Sequence, residues 1–221
     1  MDIKVNLKIF AFIAIFFLLG KIELYGILMF FAFLHELGHL LAGVILGFKP
    51  RCLRIMPLGL SIAFNVLPKD YNKKIMNTNF ITIKKLIIAL AGPITNFIIV
   101  LICMYIPNNM LGSRYDVIVY SNILIGVFNL LPIYPLDGGR ILKCILQIFC
   151  GLKNSIVYTN KISNISIILI TAISSICIYY YKNLAILFIV VYLWILVLIE
   201  NKRYNMKMNL YNSIEKEKIA T

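Results

Sequence analysis

The sequence predicts an all-α polytopic membrane protein with about six transmembrane helices and a small membrane-associated β-hairpin between the second and third. Three observations predict it. Hydrophobic residues make up 61% of the 221-residue chain and charged residues only 14%, which is too little charge to coat a soluble domain of this size. Mean hydropathy is +0.90. The apolar residues also gather into runs close to the roughly 20 residues that cross about 30 Å of hydrocarbon.

The segments follow in order. The N-terminus, "MDIKVNLKIFAFIAIFFLLGK", resembles a signal peptide's basic and apolar regions but has no small-x-small cleavage site, so 5–20 reads as an uncleaved first span. The second segment is 26–48. In the polar stretch after it, "RCLRIMPLGLSIAFN" carries β-branched and aromatic residues punctuated by Pro57 and Gly59, the pattern of a hairpin at or dipping into the membrane face. Strand edges at that depth need protein or water to cover them. Further apolar segments lie at 86–106, 117–136, 162–181 and 184–199, and the polar tail from Asn201 is expected to fray. The predicted organisation is one membrane domain over 1–200 and a short cytosolic tail over 201–221.

Charge sets orientation rather than a nucleic-acid face. The formal net charge is +13, but the basic residues fall between apolar runs and do not interleave with aromatics. With the N-terminus in the cytosol, cytosolic segments hold two before 20, eight in 49–85, four in 140–161 and five after Glu200, nineteen in all. Lys21, Arg114 and Lys182 remain outside. That is a strong positive-inside bias, and both termini are read as cytosolic. The five cysteines are scattered without a C-x-x-C pair, which argues against a disulfide framework or a thiolate metal site.

The chemistry is carried by "FLHELGHLLA", residues 33–42. Residues i and i+4 share one helix face, so His35 and His39 can grip one metal ion while Glu36 reaches a water on it. His35-Glu36-x-x-His39 is the zincin pattern of two imidazole ligands and a carboxylate base. The five letters alone are weak evidence, since they also arise by chance. Here, however, they hold the only two histidines of the chain, inside a membrane segment where ionisable groups are expensive. The competing reading is a hydrogen-bonded pair that tunes helix packing.

A catalytic zinc needs a third protein ligand and an open position. With no third histidine, that ligand is a carboxylate or a thiolate. Asp137, in "FNLLPIYPLDGGRIL", is the only acidic residue between Asp116 and Glu200. Pro132, Pro135, Gly138 and Gly139 break the helix around it, which is tolerable where backbone lines a polar cavity. Alternatively, Asp137 pairs with Arg140 at the membrane face; both can hold, because such pairing orients a ligand.

HELGH in an early span, "AGPITNF" over 91–97 and N-x-x-P-x-x-P-L-D-G-G from Asn129 together resemble the site-2 protease family of intramembrane zinc metalloproteases. The resemblance implies His35, His39 and Asp137 as ligands of one Zn2+ per chain and Glu36 as the catalytic base. It also implies a fourth span that bears the acidic residue and packs on the second. Asn96 and Asn129 are assigned supporting roles near the substrate strand or the oxyanion. Six spans without room for a PDZ domain look most like the sporulation branch, which processes a membrane-tethered pro-sigma factor. Many members of that branch end in a nucleotide-sensing CBS domain, for which the short tail has no room. The implied partners are a membrane-associated protein substrate, membrane regulatory proteins and the lipid bilayer, in a bacterial cell or forespore membrane. Two other classes compete: a transporter or ion relay using the buried His, Glu and Asp, and an inactive scaffold of the same fold. The sequence shows no inverted repeat of the kind transporters carry, and the full ligand set argues against the scaffold.

Overall fold

The computed structural model describes residues 2–5, 10, 13–14, 17–18, 20, 22–56, 59–65, 78–106, 112–182 and 185–220. The segment expected to be a first span, 5–20, lies largely outside them. The chain forms two compact units, Met1–Leu130 and Leu131–Thr221.

The first unit holds strand β1 (Asp2–Val5), helix α1 (Ile22–Ile45), strands β2 (Lys49–Met56) and β3 (Gly59–Asn65), and helices α2 (Thr78–Tyr105) and α3 (Tyr115–Asn129). β2 pairs antiparallel with β3, from Lys49 opposite Asn65 to Met56 opposite Gly59, with a register shift between Pro50 and Cys52. β1 lies parallel on the other edge of β2, Asp2 opposite Cys52 and Val5 opposite Ile55. Among the described residues the sheet thus has three strands, one of them four residues taken from the N-terminus, in a chain that is otherwise helical.

α1 ends in a complete cap. Gly47 has φ 87, the Phe48 N–H donates to the Gly43 carbonyl at 2.9 Å, and the Gly47 N–H donates to Val44 at 3.0 Å. This is the Schellman arrangement, which needs a residue free to adopt a left-handed backbone. Lys84 Nζ of α2 adds a bond to the Leu46 carbonyl at 3.0 Å, placing positive charge where the helix dipole favours it. A Cβ on Gly43 would collide with the Phe64 ring, so that glycine lets β3 lie close against α1.

α1 and α2 approach each other through Gly38, where a Cβ would overlap Thr95 Oγ1 and lie 2.9 Å from the Ala91 carbonyl oxygen. α2 contains Pro93, which removes a backbone donor and opens the helix locally. The starts of α1 and α3 meet through an exposed Arg114–Glu23 ion pair at 3.0 Å, so these two helices run the same way.

The second unit is a pair of long helices, α4 (Asp137–Tyr181) and α5 (Ala185–Ala220). α4 breaks at Gly151, whose φ of 78 and ψ of 172 leave the helical region. The stretch 140–161, expected to connect two spans, is therefore helical. α5 likewise continues through residues 201–220, where the sequence suggested a fraying tail. Ile167, Leu193 and Val197 are buried; Trp194 Nε1 donates to Thr171 Oγ1 and Asn201 Nδ2 to Asn164 Oδ1, each at 3.0 Å. Among the described residues, three helices are long and apolar enough to cross a membrane, over Ile22–Ile45, Asn79–Tyr105 and Asp137–Tyr180, and Tyr115–Asn129 is a shorter apolar helix.

Candidate metal centre

His35 and His39 lie in the middle of α1, each 3% exposed. Their i, i+4 spacing stacks the rings on one helix face, with centroids 4.8 Å apart and planes at 84°. α2 supplies an acceptor for each ring. His39 Nδ1 donates to the Ile88 carbonyl at 2.6 Å, and His35 Nδ1 to Asn96 Oδ1. An imidazole whose Nδ1 carries the proton keeps its lone pair on Nε2, and the partner at Nδ1 selects that tautomer. The two Nε2 atoms face one another at 3.2 Å.

That separation is a direct test of fit. Two imidazole nitrogens, each about 2.0–2.1 Å from a tetrahedral zinc, lie about 3.3 Å apart, close to the observed 3.2 Å. Gly92 of the "AGPITNF" run closes the pocket around them. A Cβ there would overlap His39 Nε2 and come within 2.6 Å of His35 Nε2. The pair is therefore bound at its outer nitrogens, fixed in tautomer, and backed by a residue without a side chain. Glu36, the next residue on α1, is half-buried.

Asn96 is fully buried, and its Nδ2 donates to Asn122 Oδ1 at 3.0 Å; Asn122 Nδ2 in turn donates to the Ile118 carbonyl of α3 at 2.9 Å. The side-chain oxygen of Asn96 thus serves His35. Asn129 Nδ2 donates at 3.0 Å to Ile125 of its own helix.

In the second unit, Asp137 is 4% exposed and is the first residue of α4. By its sequence position the acid is expected at the end of the fourth apolar segment, 117–136. The structure ends that helix at Asn129 instead, so the helix α3 that packs with α1 and α2 does not itself carry the acid. Residues 130–136 form the turn that delivers it: the Leu136 N–H donates to the Ile133 carbonyl at 2.8 Å and the Tyr134 N–H to Ser163 Oγ at 3.0 Å. A Cβ on Gly139 would strike the backbone of Ile133 and Tyr134, which explains a glycine two residues after the acid. Arg140 Nη1 lies 3.4 Å from Asp137 Oδ1.

Residues 106–173 match the family described as Peptidase family M50, a stretch that contains Asn129 and Asp137 but not the histidines. A zinc metalloprotease of Methanocaldococcus jannaschii is 30% identical over 146 residues, 62% of this chain. The chain spans 38% of that relative's length. The solved structure of the site-2 protease from Methanocaldococcus jannaschii matches with a TM-score of 0.63 at 24% identity, over 90% of this chain and 89% of that one. The fold is that of a site-2 protease.

Within this site-2 protease fold, one polar residue of the centre has no counterpart in the sequence reading. Asn122 belongs to no motif, and only its place inside an apolar helix marks it, since a polar side chain at membrane depth is costly without a role. The donors assembled on α1 suit zinc: neutral imidazole nitrogens are ordinary zinc ligands, and outer-nitrogen acceptors of this kind hold such ligands in orientation.

Proposed function

We propose that the chain is an intramembrane zinc metalloendopeptidase that cuts a membrane-associated protein near the cytosolic face. The observation that carries the reading is the histidine pair, with both Nδ1 atoms committed to oxygen acceptors and both Nε2 atoms converging at 3.2 Å. Asp137 is the proposed third ligand: a carboxylate is an ordinary zinc donor, and this one is buried at the start of α4 with Arg140 3.4 Å away to orient it.

Zinc, when bound, supplies a Lewis acid that polarises the scissile carbonyl and makes water nucleophilic near neutral pH. The chain does the rest. Glu36 takes a proton from the attacking water as its oxygen bonds to the carbonyl carbon. It then delivers that proton to the amide nitrogen as the C–N bond breaks. His35 and His39 are held in place by Asn96 and the Ile88 carbonyl.

A peptide bond inside a helix is shielded by its own hydrogen bonds, so the substrate must unwind to be cut. The β2–β3 hairpin is the proposed clamp, adding an extended substrate segment as a strand. β1 and β3 are the outer strands of the sheet, and β3, which lies against α1 at Gly43, is the edge proposed to receive it. The positive-inside bias puts both termini and this sheet at the cytosolic face. The finer assignment, a membrane-tethered pro-sigma factor released during sporulation, rests on the motif resemblance alone.

Glu36→Gln tests the reading. It keeps the side-chain volume and removes the basicity, so zinc content should match wild type while cleavage of a co-expressed membrane substrate falls by orders of magnitude. Cleavage near the wild-type rate would overturn the assignment.

A further inference from the structure

The buried polar chain from His35 to α3 has a direction, and one backbone carbonyl dictates it. The Ile118 carbonyl can only accept, so Asn122 must present its NH2 group there, at 2.9 Å. Its oxygen then faces Asn96, which must answer with its own NH2 group, at 3.0 Å. That turns Asn96 Oδ1 toward His35 and makes Nδ1 of the ring the donor. Asn96 and Asn122 are both 0% exposed, so reversing either amide would set like groups against each other with no water to relieve them, at a cost of about 1–3 kcal/mol for each buried unsatisfied group.

We propose that Asn122 is a positioning residue that fixes the tautomer of His35 through Asn96, holding the Nε2 lone pair ready for a metal. Asn122 touches neither histidine nor any reacting atom. Its role is to forbid the flipped Asn96 amide, whose NH2 group would donate to Nδ1 and move the ring proton to Nε2, where it blocks ligation. His39 needs no such device, because its Nδ1 bonds directly to the Ile88 backbone carbonyl, which cannot flip. The importance of this tautomer for catalysis rests on the zinc reading above; the tautomer itself does not, and it is measured without metal.

The chain has only two histidines, so the purified, 15N-histidine-labelled protein gives four ring-nitrogen signals that can be read in detergent with chelator present. Wild type should show a proton on Nδ1 of each ring, whether or not a further proton is shared between the two Nε2 atoms, which lie 3.2 Å apart. Asn122→Leu, which keeps much of the volume but offers Asn96 no acceptor, should move a large fraction of His35 to the Nε2–H form and leave His39 unchanged. Asn122→Asp should retain the wild-type pattern at His35, because a carboxyl group still accepts from Asn96. A residue that served packing alone would give the opposite ranking, with leucine tolerated and a buried acid harmful. A wild-type His35 without a proton on Nδ1, or an unchanged His35 in Asn122→Leu, would overturn the proposal. If Asn122→Leu does not fold, the wild-type tautomer and the Asn122→Asp pattern decide it alone.

Discussion

Gly92→Ala is the most economical perturbation of the centre, because it adds one methyl group at the point where both rings converge. A Cβ built on Gly92 lies 2.6 Å from His35 Nε2 and overlaps His39 Nε2, whereas ordinary contact starts at 3.4 Å. His35 must therefore retreat by about 0.8 Å, the difference of those two distances, and His39 by more. Metal–ligand distances tolerate only about ±0.2 Å, so the rings cannot yield that far and still share an ion. Overpacking of this kind typically costs about 1–3 kcal/mol, which corresponds to about a five- to hundredfold loss in zinc affinity at about 1.4 kcal/mol per decade. The assay is chelator competition for zinc on detergent-purified protein, with thermal unfolding of the metal-free protein in parallel. Zinc affinity should fall by at least about fivefold in a protein that still folds. A variant that folds and binds zinc within about twofold of wild type would refute the placement of Gly92 against a zinc site at the two Nε2 atoms.

Two further outcomes follow from the same account. Asp137→Asn replaces an anionic ligand with a weak neutral one and should lower both zinc affinity and cleavage, whereas Arg140→Ala should do much less, since a half-exposed ion pair is worth about 0–1 kcal/mol; equal damage from the two, measured by zinc titration, would favour an ion-pairing role for Asp137. The scissile bond of a co-expressed substrate, mapped by mass spectrometry of the fragments, should lie toward the cytosolic face, and a uniform poly-leucine helix should resist cleavage; a cut on the outer side would overturn the topology and the strand clamp together.

The histidine pair was legible because helix geometry converts i, i+4 spacing into adjacency, and because the chain offers no other imidazole. The partners of those rings were not. Ile88 acts through its backbone, so its side chain carries no signal of the role. Asn96 stood out within "AGPITNF", yet its orientation is set by Asn122 and ultimately by the Ile118 carbonyl, a tertiary arrangement that no local pattern encodes. The end of the fourth segment was misplaced because Leu130, Leu131 and Ile133 extend the apolar run, whereas Pro132 and Pro135 in fact break the helix and let Asp137 begin a new one. The charges of 140–161 suggest a connection, but in "ILKCILQIFC" the polar Lys143 and Gln147 stand four apart, on one face of an otherwise apolar helix. Strand β1 was not foreseeable, since four residues give no periodicity and their pairing partner lies about fifty positions away.

The central claim is that His35 and His39 are zinc ligands, and the most direct test is the metal content of the purified chain. Protein expressed with zinc supplied and freed of loosely bound metal should carry about one zinc per chain, and His35→Ala and His39→Ala should each lose it while still folding in detergent. Folded wild-type protein with no stoichiometric zinc, or histidine variants that retain it, would contradict the account.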